Sequence, residues 1–157
     1  MLDPVWDKIN IDTPEAFTQT FGDVSRRVGL LYAAHFCQSE VCNGGFTQFF
    51  WNSTGVLAPE AVDGFIAIGQ PQVADVLQRA MNMLGSAFRR DRAGRWSALD
   101  TLRDEDDKQR DPADHAQYKN IDSFRKLERE FYSLRASEAG GFERAADAYA
   151  RRISERL

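Results

Sequence analysis

Apolar positions recur at helical spacing along almost the whole chain, and no stretch alternates in the way that a half-buried strand does. Residues 73–84 are the clearest case, because Val, Leu, Ala and Met positions follow a spacing of three and four without interruption before Gly85. A second long stripe runs through residues 142–157. The pattern therefore predicts an all-α protein, a single-domain bundle of about seven helices that occupies residues 1–157.

Prolines, glycines and capping residues predict where the helices begin and end. Thr13 followed by Pro14 is a typical helix start, and Asp23 is placed to cap a longer helix. Pro59 begins another helix, which directs Val62, Phe65 and Ile66 inward and ends near Gly69. The remaining predicted helices are a short one around Trp96, Leu99 and Leu102, a long one over residues 124–134, and a last one after Gly140-Gly141.

Residues 40–52, EVCNGGFTQFFWN, place two adjacent glycines between polar side chains and a dense aromatic run. Glycine tolerates positive φ angles and close backbone approach, so Gly44-Gly45 predicts a helix end, a sharp turn and a second helix. Three phenylalanines then fall at i, i+3 and i+4 on one helical face. The amides of Asn43, Gln48 and Asn52 either hold this turn together or line a pocket beside the aromatic wall.

The same stretch resembles the motif of the DNA-mimic-protein family, through Glu40, Asn43, Gly44, Gly45, Phe46, Gln48, Phe49, Phe50 and Asn52. Residues 61–80 and 124–134 are similar to two further helical segments of that family, so the resemblance covers roughly residues 24–152. The family takes its name from a relative that binds a transcription factor in place of DNA. The resemblance implies a helical fold and a role in binding a DNA-binding protein.

Charge is unevenly distributed, although the formal net charge is only -4. Between residues 100 and 114 seven acids stand against three bases, whereas four arginines between residues 89 and 95 predict a separate cationic patch. The acidic stretch is either a solvated loop or a partner-binding face, which Glu60, Asp63 and Asp75 could join. Its acids are Asp100, Asp104, Glu105, Asp106, Asp107, Asp111 and Asp114.

Enzyme chemistry finds little support in the residues. His35 and His115 stand in no metal-binding spacing, and Cys37 lies on a different helical face from His35. No glycine-rich phosphate loop ending in lysine is present in the sequence. We therefore expect no catalytic residues, no metal and no cofactor.

Hydropathy and charge also bear on the surroundings of the protein. With 43% hydrophobic residues the chain is expected to fold unaided, and no run reaches the 18 or more apolar residues of a membrane span. The N-terminus lacks a basic stretch followed by an apolar one. These features predict a cytoplasmic protein that contacts no membrane, and the net negative charge disfavours direct nucleic-acid binding.

The favoured function is a non-enzymatic interaction module whose acidic face binds a basic protein. The resemblance extends this to DNA mimicry toward a DNA-binding transcription regulator, and a homodimer is compatible with the sequence. One alternative is a small-ligand or peptide site at the Asn43, Gln48 and Asn52 corner, walled by Phe46, Phe49 and Trp51. Another is an immunity protein that blocks a toxin, which an acidic surface would serve equally well.

Overall fold

The computed structural model describes residue 5, residues 7–109 and residues 121–155. These residues contain seven α-helices and three short 3₁₀ turns. They contain no strand, so the prediction of an all-α bundle of about seven helices is confirmed. The helices are α1 (Pro14–Gly22), α2 (Arg26–Trp51), α3 (Ala58–Ile68), α4 (Pro71–Asn82), α5 (Arg92–Gln109), α6 (Arg125–Ser137) and α7 (Phe142–Ser154). The 3₁₀ turns are Ser53–Leu57, Asp122–Phe124 and Glu138–Gly140.

Helix α2 is the centre of the bundle. Every other described helix packs directly against it, with the exception of α4. Its second half presents Phe46, Phe49 and Phe50 to one hydrophobic core, in which all three rings are fully buried. The ring of Phe46 contacts the rings of Phe124, which directly precedes α6, and Phe131, which lies within α6. Aromatic pairs of this kind add roughly 0.5–1.5 kcal/mol each beyond the burial of their area.

Helices α3 and α4 pack against each other, and α3 also packs against α2. A Cβ atom on Gly64 would lie 2.3 Å from the Leu30 carbonyl oxygen, so this glycine allows α3 to approach α2 closely. Gly69 then ends α3 in the left-handed conformation, with φ 91°. The prediction that Phe65 points inward is confirmed, since its side chain is fully buried. The same prediction is wrong for Ile66, which is 54% exposed because α2 covers the neighbouring face of α3.

Two helix boundaries differ from the sequence prediction. Thr13 does cap α1, where its hydroxyl oxygen accepts from the Ala16 N–H at 3.2 Å. Asp23, however, follows the end of α1, and α2 begins only at Arg26. Helix α5 is also longer than predicted, since it continues through the acidic residues to Gln109.

Among the described residues, no helix combines the length and the apolar character that crossing a bilayer requires.

Candidate functional site

The glycine corner bends α2 in its second half, as the sequence predicts. Gly44 has φ -150° and ψ 21°, and Gly45 has φ 73° and ψ -175°. The Gly45 conformation belongs to a region that essentially only glycine occupies. The Phe46 N–H, freed by the kink, donates instead to Glu128 Oε1 of α6 at 3.0 Å. The bend is thus tied to another helix.

Glu40 gathers the polar side chains of the corner. Its carboxylate accepts from Gln48 Nε2 at 2.6 Å, from Asn52 Nδ2 at 3.1 Å and from the Thr54 hydroxyl at 3.1 Å. Hydrogen bonds to a charged group contribute roughly 1.5–3 kcal/mol each. This cluster joins the two halves of α2 to the turn that follows them.

Most polar and aromatic side chains of the corner are already engaged within the protein. The amides of Gln48 and Asn52 are occupied by Glu40, while the rings of Phe46 and Phe49 are fully buried in the core. Asn43 is exposed and makes no side-chain hydrogen bond with the described residues. The geometry therefore favours a turn held together by its own side chains, although Asn43 does not contribute to it as expected.

The end of α2 is capped by side chains from the start of α5. Arg95 is only 2% exposed, and its guanidinium donates to the carbonyl oxygens of Phe50 and Asn52, both at 2.9 Å, and of Arg90. A cation at this position also complements the negative end of the helix dipole. Burial, followed by the charge of Arg92, lowers the pKa of Arg95 to about 10, so the side chain stays charged at neutral pH.

The predicted cationic patch of Arg89, Arg90, Arg92 and Arg95 does not form as one surface. Arg95 is buried, and Arg90 makes two hydrogen bonds to Glu60, at 2.7 and 2.8 Å. Arg92 donates to the Trp51 carbonyl at 3.1 Å. The prediction of a patch is wrong, because most of these arginines satisfy backbone carbonyls and a carboxylate.

Helix α5 separates the acids of the predicted partner-binding face. At 100° per residue, Asp100, Asp104 and Asp107 lie within about 60° of each other on one side, which we call the acidic stripe. Asp104 is exposed, and Glu105 is exposed on a neighbouring side. Asp111 and Asp114 lie outside the described residues.

Asp106 does not belong to that face. It is 8% exposed, and its carboxylate accepts from the Ser123 N–H at 3.0 Å and from the Ser123 hydroxyl. Its place in the predicted acidic face is therefore wrong, because the helix turns this side chain toward the 3₁₀ turn before α6.

The acids of other helices that were expected to join the acidic face are each paired with an arginine, so they add no unpaired charge to the stripe. Glu60 pairs with Arg90 at 2.7 Å, Asp63 with Arg26 at 3.0 Å, and Asp75 with Arg79 at 2.9 Å. Within the stripe, Asp100 pairs with Arg103 at 2.9 Å. All four pairs neutralise local charge; those other than the partly buried Glu60–Arg90 pair are more exposed and add roughly 0–1 kcal/mol of stability each.

Sequence reasoning missed Arg95 and Glu128, although a signal existed for each. Arg95 stands at i, i+4 and i+7 with Leu99 and Leu102, so it lies on the apolar stripe of α5. Glu128 directly follows Leu127 on the stripe of α6 and stands three residues before Phe131. A charged side chain on an apolar stripe indicates a buried partner, which only the fold identifies.

The raised pKa of Glu128 predicts an unusual dependence of stability on pH. Burial raises the pKa of Glu128 above its ordinary value of 4.5, and the Phe46 N–H and Arg125 only partly oppose this. Between 4.5 and the raised value the folded state therefore binds more protons than the unfolded state, so this contribution to stability is lost as pH rises through that window. The free energy of unfolding of the wild type, compared with that of Glu128→Gln, should fall as pH rises from about 4. The difference should become constant once the pH exceeds the raised pKa of Glu128, and urea unfolding at a series of pH values measures it.

Glu130→Gln on the same helix provides the control. A hydrogen bond from Arg79 lowers the pKa of Glu130, so its stabilisation is present above the ordinary carboxyl value and lost as pH falls. The two variants should shift the pH profile in opposite directions. Profiles of the same sign would contradict the half-buried position of Glu128.

Metal chemistry finds no site in the geometry: within the described part of the chain, no group of three or more His, Cys, Asp or Glu side chains could hold an ion. Of the two thiols, Cys37 is buried and Cys42 exposed.

Comparison with known proteins gives one match. The family model described as DMP19-like protein matches residues 22–153, from the last residue of α1 into the final turns of α7. The match thus includes the kinked α2, the acidic stripe and the contacts between them. No curated protein and no solved structure matches the chain.

Proposed function

The chain belongs to the DMP19-like protein family, a family of DNA mimics, and from this membership we propose that it is a non-enzymatic interaction module whose acidic stripe takes the place of DNA on a basic partner. The partner would be a DNA-binding protein, such as a transcription regulator in the cytoplasm. The chain itself would bind no nucleic acid, because its net charge of -4 repels phosphates.

The spacing of the acidic stripe is the observation that carries this proposal. Asp100 and Asp107 are seven residues apart on a continuous helix, which corresponds to about 10.5 Å along its axis. One strand of duplex DNA carries a phosphate every ~3.4 Å of axis, or about three to four over the same length. The three carboxylates of the stripe therefore come close to the phosphate spacing of a single strand, although the pairing of Asp100 with Arg103 leaves them less than its full charge density.

The scaffold beneath the stripe supports it. Leu99 is fully buried and Leu102 nearly so, while Asp106 anchors the same helix to Ser123. A stripe held in place before binding loses less conformational entropy when a partner docks. Asp104 and Glu105 make no ion pair with the described residues, so their charge is available to a partner.

The test removes two exposed charges without touching the buried one. In Asp104→Asn/Glu105→Gln the shapes are preserved, and affinity for the partner should fall about tenfold at low ionic strength, which is about 1.4 kcal/mol. The slope of log affinity against log salt should also flatten. The partner is first captured from the native host, and competition between this protein and duplex DNA for the partner is then measured by fluorescence anisotropy.

Asp147→Asn on α7 combined with Glu155→Gln directly after that helix is the matched control, since it removes one aspartate and one glutamate that are also exposed. It should bind the partner nearly as well as the wild type. Simultaneous binding of DNA and this protein to the partner, or equal losses in both double variants, would contradict mimicry by the stripe. Capture of a partner that binds no DNA would favour an immunity protein instead.

A further inference from the structure

A groove of about 150 Å³ lies between the start of α2 and the end of α7. Its walls are Arg27 from α2 and Tyr149, Arg152 and Ile153 from α7. It shares no residue with the acidic stripe, so an inference about it does not depend on the proposed function. Two arginines and a phenol in one groove form a set of donors that suits an oxyanion.

The two arginines of the groove are not neutralised. Neither guanidinium makes an ion pair or a hydrogen bond with the residues that the structure describes, whereas the neighbouring Arg26 pairs with Asp63 at 3.0 Å. The Arg152 guanidinium instead lies over the Tyr149 ring, 5.7 Å from its centroid. This contact orients the planar fork and leaves its N–H groups available to a ligand.

Tyr149 contributes a hydroxyl that is open to the groove. Only 9% of the residue is exposed, and its hydroxyl makes no hydrogen bond with the described residues. The hydroxyl oxygen is not among the fully buried polar atoms without a partner, so it is accessible to solvent and to a ligand in the groove. Burial raises the pKa of Tyr149, while Arg27, Arg152 and Arg26 act against this, so three positive charges reach the phenol. At neutral pH the hydroxyl is protonated and can donate.

The start of α2 adds to the positive potential of the groove. Ser25 precedes the helix without making a side-chain capping bond, so the first-turn N–H groups of this 26-residue helix are not capped by it. The positive end of the helix dipole favours anions there.

We propose that the groove between Arg27, Tyr149 and Arg152 binds a phosphate group, either as free phosphate or as the terminal group of a small phosphate monoester. Two guanidinium forks and one hydroxyl match the three terminal oxygens and the double charge of a phosphate better than the two oxygens of a carboxylate. A volume of 150 Å³ equals about five water molecules, which leaves room for the phosphate and part of a substituent.

Titration of the ¹⁵N-labelled chain tests this proposal, first with inorganic phosphate and then with adenosine monophosphate, at ionic strength held constant with chloride. Saturable shifts are expected at the Arg27 and Arg152 Nε–H signals. Arg27→Gln/Arg152→Gln should weaken binding at least about tenfold, because each removes a charge-assisted contact. Tyr149→Phe keeps the ring and should weaken it about two- to fivefold.

A variant that should bind more tightly separates recognition from damage to the fold. Asp63→Asn releases Arg26 from its ion pair, so the local positive charge rises and phosphate should bind about two- to fivefold more tightly. Arg129→Gln/Arg144→Gln is the matched control, because it removes two exposed arginines elsewhere on α6 and α7. It should leave the affinity unchanged.

Equal affinities for phosphate and the monoester would support the site with free phosphate as its ligand, and tighter binding of the monoester would support a small phosphorylated molecule. Shifts no larger than those caused by chloride would overturn the proposal, as would equal losses in the control and groove variants.

Discussion

Replacing Arg95 with methionine should lower the free energy of unfolding by about 3–5 kcal/mol. Methionine fills much of the same space, but it leaves the carbonyl oxygens of Phe50 and Arg90 without this donor, while the Asn52 carbonyl keeps only the Gly55 N–H at 3.1 Å. A buried polar group without a partner costs roughly 1–3 kcal/mol, and these losses are only partly additive. The negative end of α2 also loses its compensating charge.

Urea unfolding followed by circular dichroism at 222 nm measures this loss, with two companion variants. Arg89→Met removes an exposed arginine that pairs with Asp91, and it should cost at most about 1 kcal/mol. Arg95→Lys keeps the charge but lacks the planar guanidinium, so its loss of unfolding free energy should lie between those of Arg89→Met and Arg95→Met. If Arg95→Met were as stable as Arg89→Met, the capping role of Arg95 would be refuted.

The second large effect is expected at the corner, where Gly45→Val should destabilise the fold by about 3 kcal/mol. Gly45 has φ 73°, which a β-branched residue adopts only with strain of roughly 1–3 kcal/mol. A Cβ atom there would also lie 2.2 Å from Glu128 Oε1, so the hydrogen bond from Phe46 N–H to this carboxylate would be lost or distorted.

Gly22→Val is the control for the corner, because a Cβ atom on Gly22 meets nothing within 4 Å and its φ lies outside the positive region. Its stability should change by less than about 0.5 kcal/mol. The double variant Gly45→Val/Glu128→Ala removes the clash but not the backbone strain, so it divides the two causes. Wild-type stability in Gly45→Val would show that the bend is not required.

Local patterns were sufficient to predict most helices and the bend. Helix α4 could be predicted from its apolar residues alone, since Val73, Val76, Leu77, Ala80 and Met81 repeat at helical spacing and all are buried. Gly44-Gly45 predicted the change of direction because few other residues accept those backbone angles. In both cases the physical cause lies within a few residues of the chain.

The acidic face was only partly predictable. The composition of residues 100–107 showed that charge accumulates there, but a run of acids carries no apolar repeat that would indicate a helix. Helix α5 extends through it because Leu102 and Asp106 face inward, where Ser123 donates hydrogen bonds to the Asp106 carboxylate. The same rotation places Asp104 outside and Asp106 inside, although the two are only two residues apart.

The sequence by itself determined the helical class, the positions of most helices, the bend and the sign of the charge in each segment. Tertiary structure decided which charged groups are buried, paired or exposed, because those outcomes depend on atoms that are distant along the chain. Arg95 is buried since the carbonyls at the end of α2 require donors, and Arg27 meets Tyr149 and Arg152 only because α2 and α7 lie side by side. Helical periodicity is a short-range property, whereas the partner of a buried charge is set by packing.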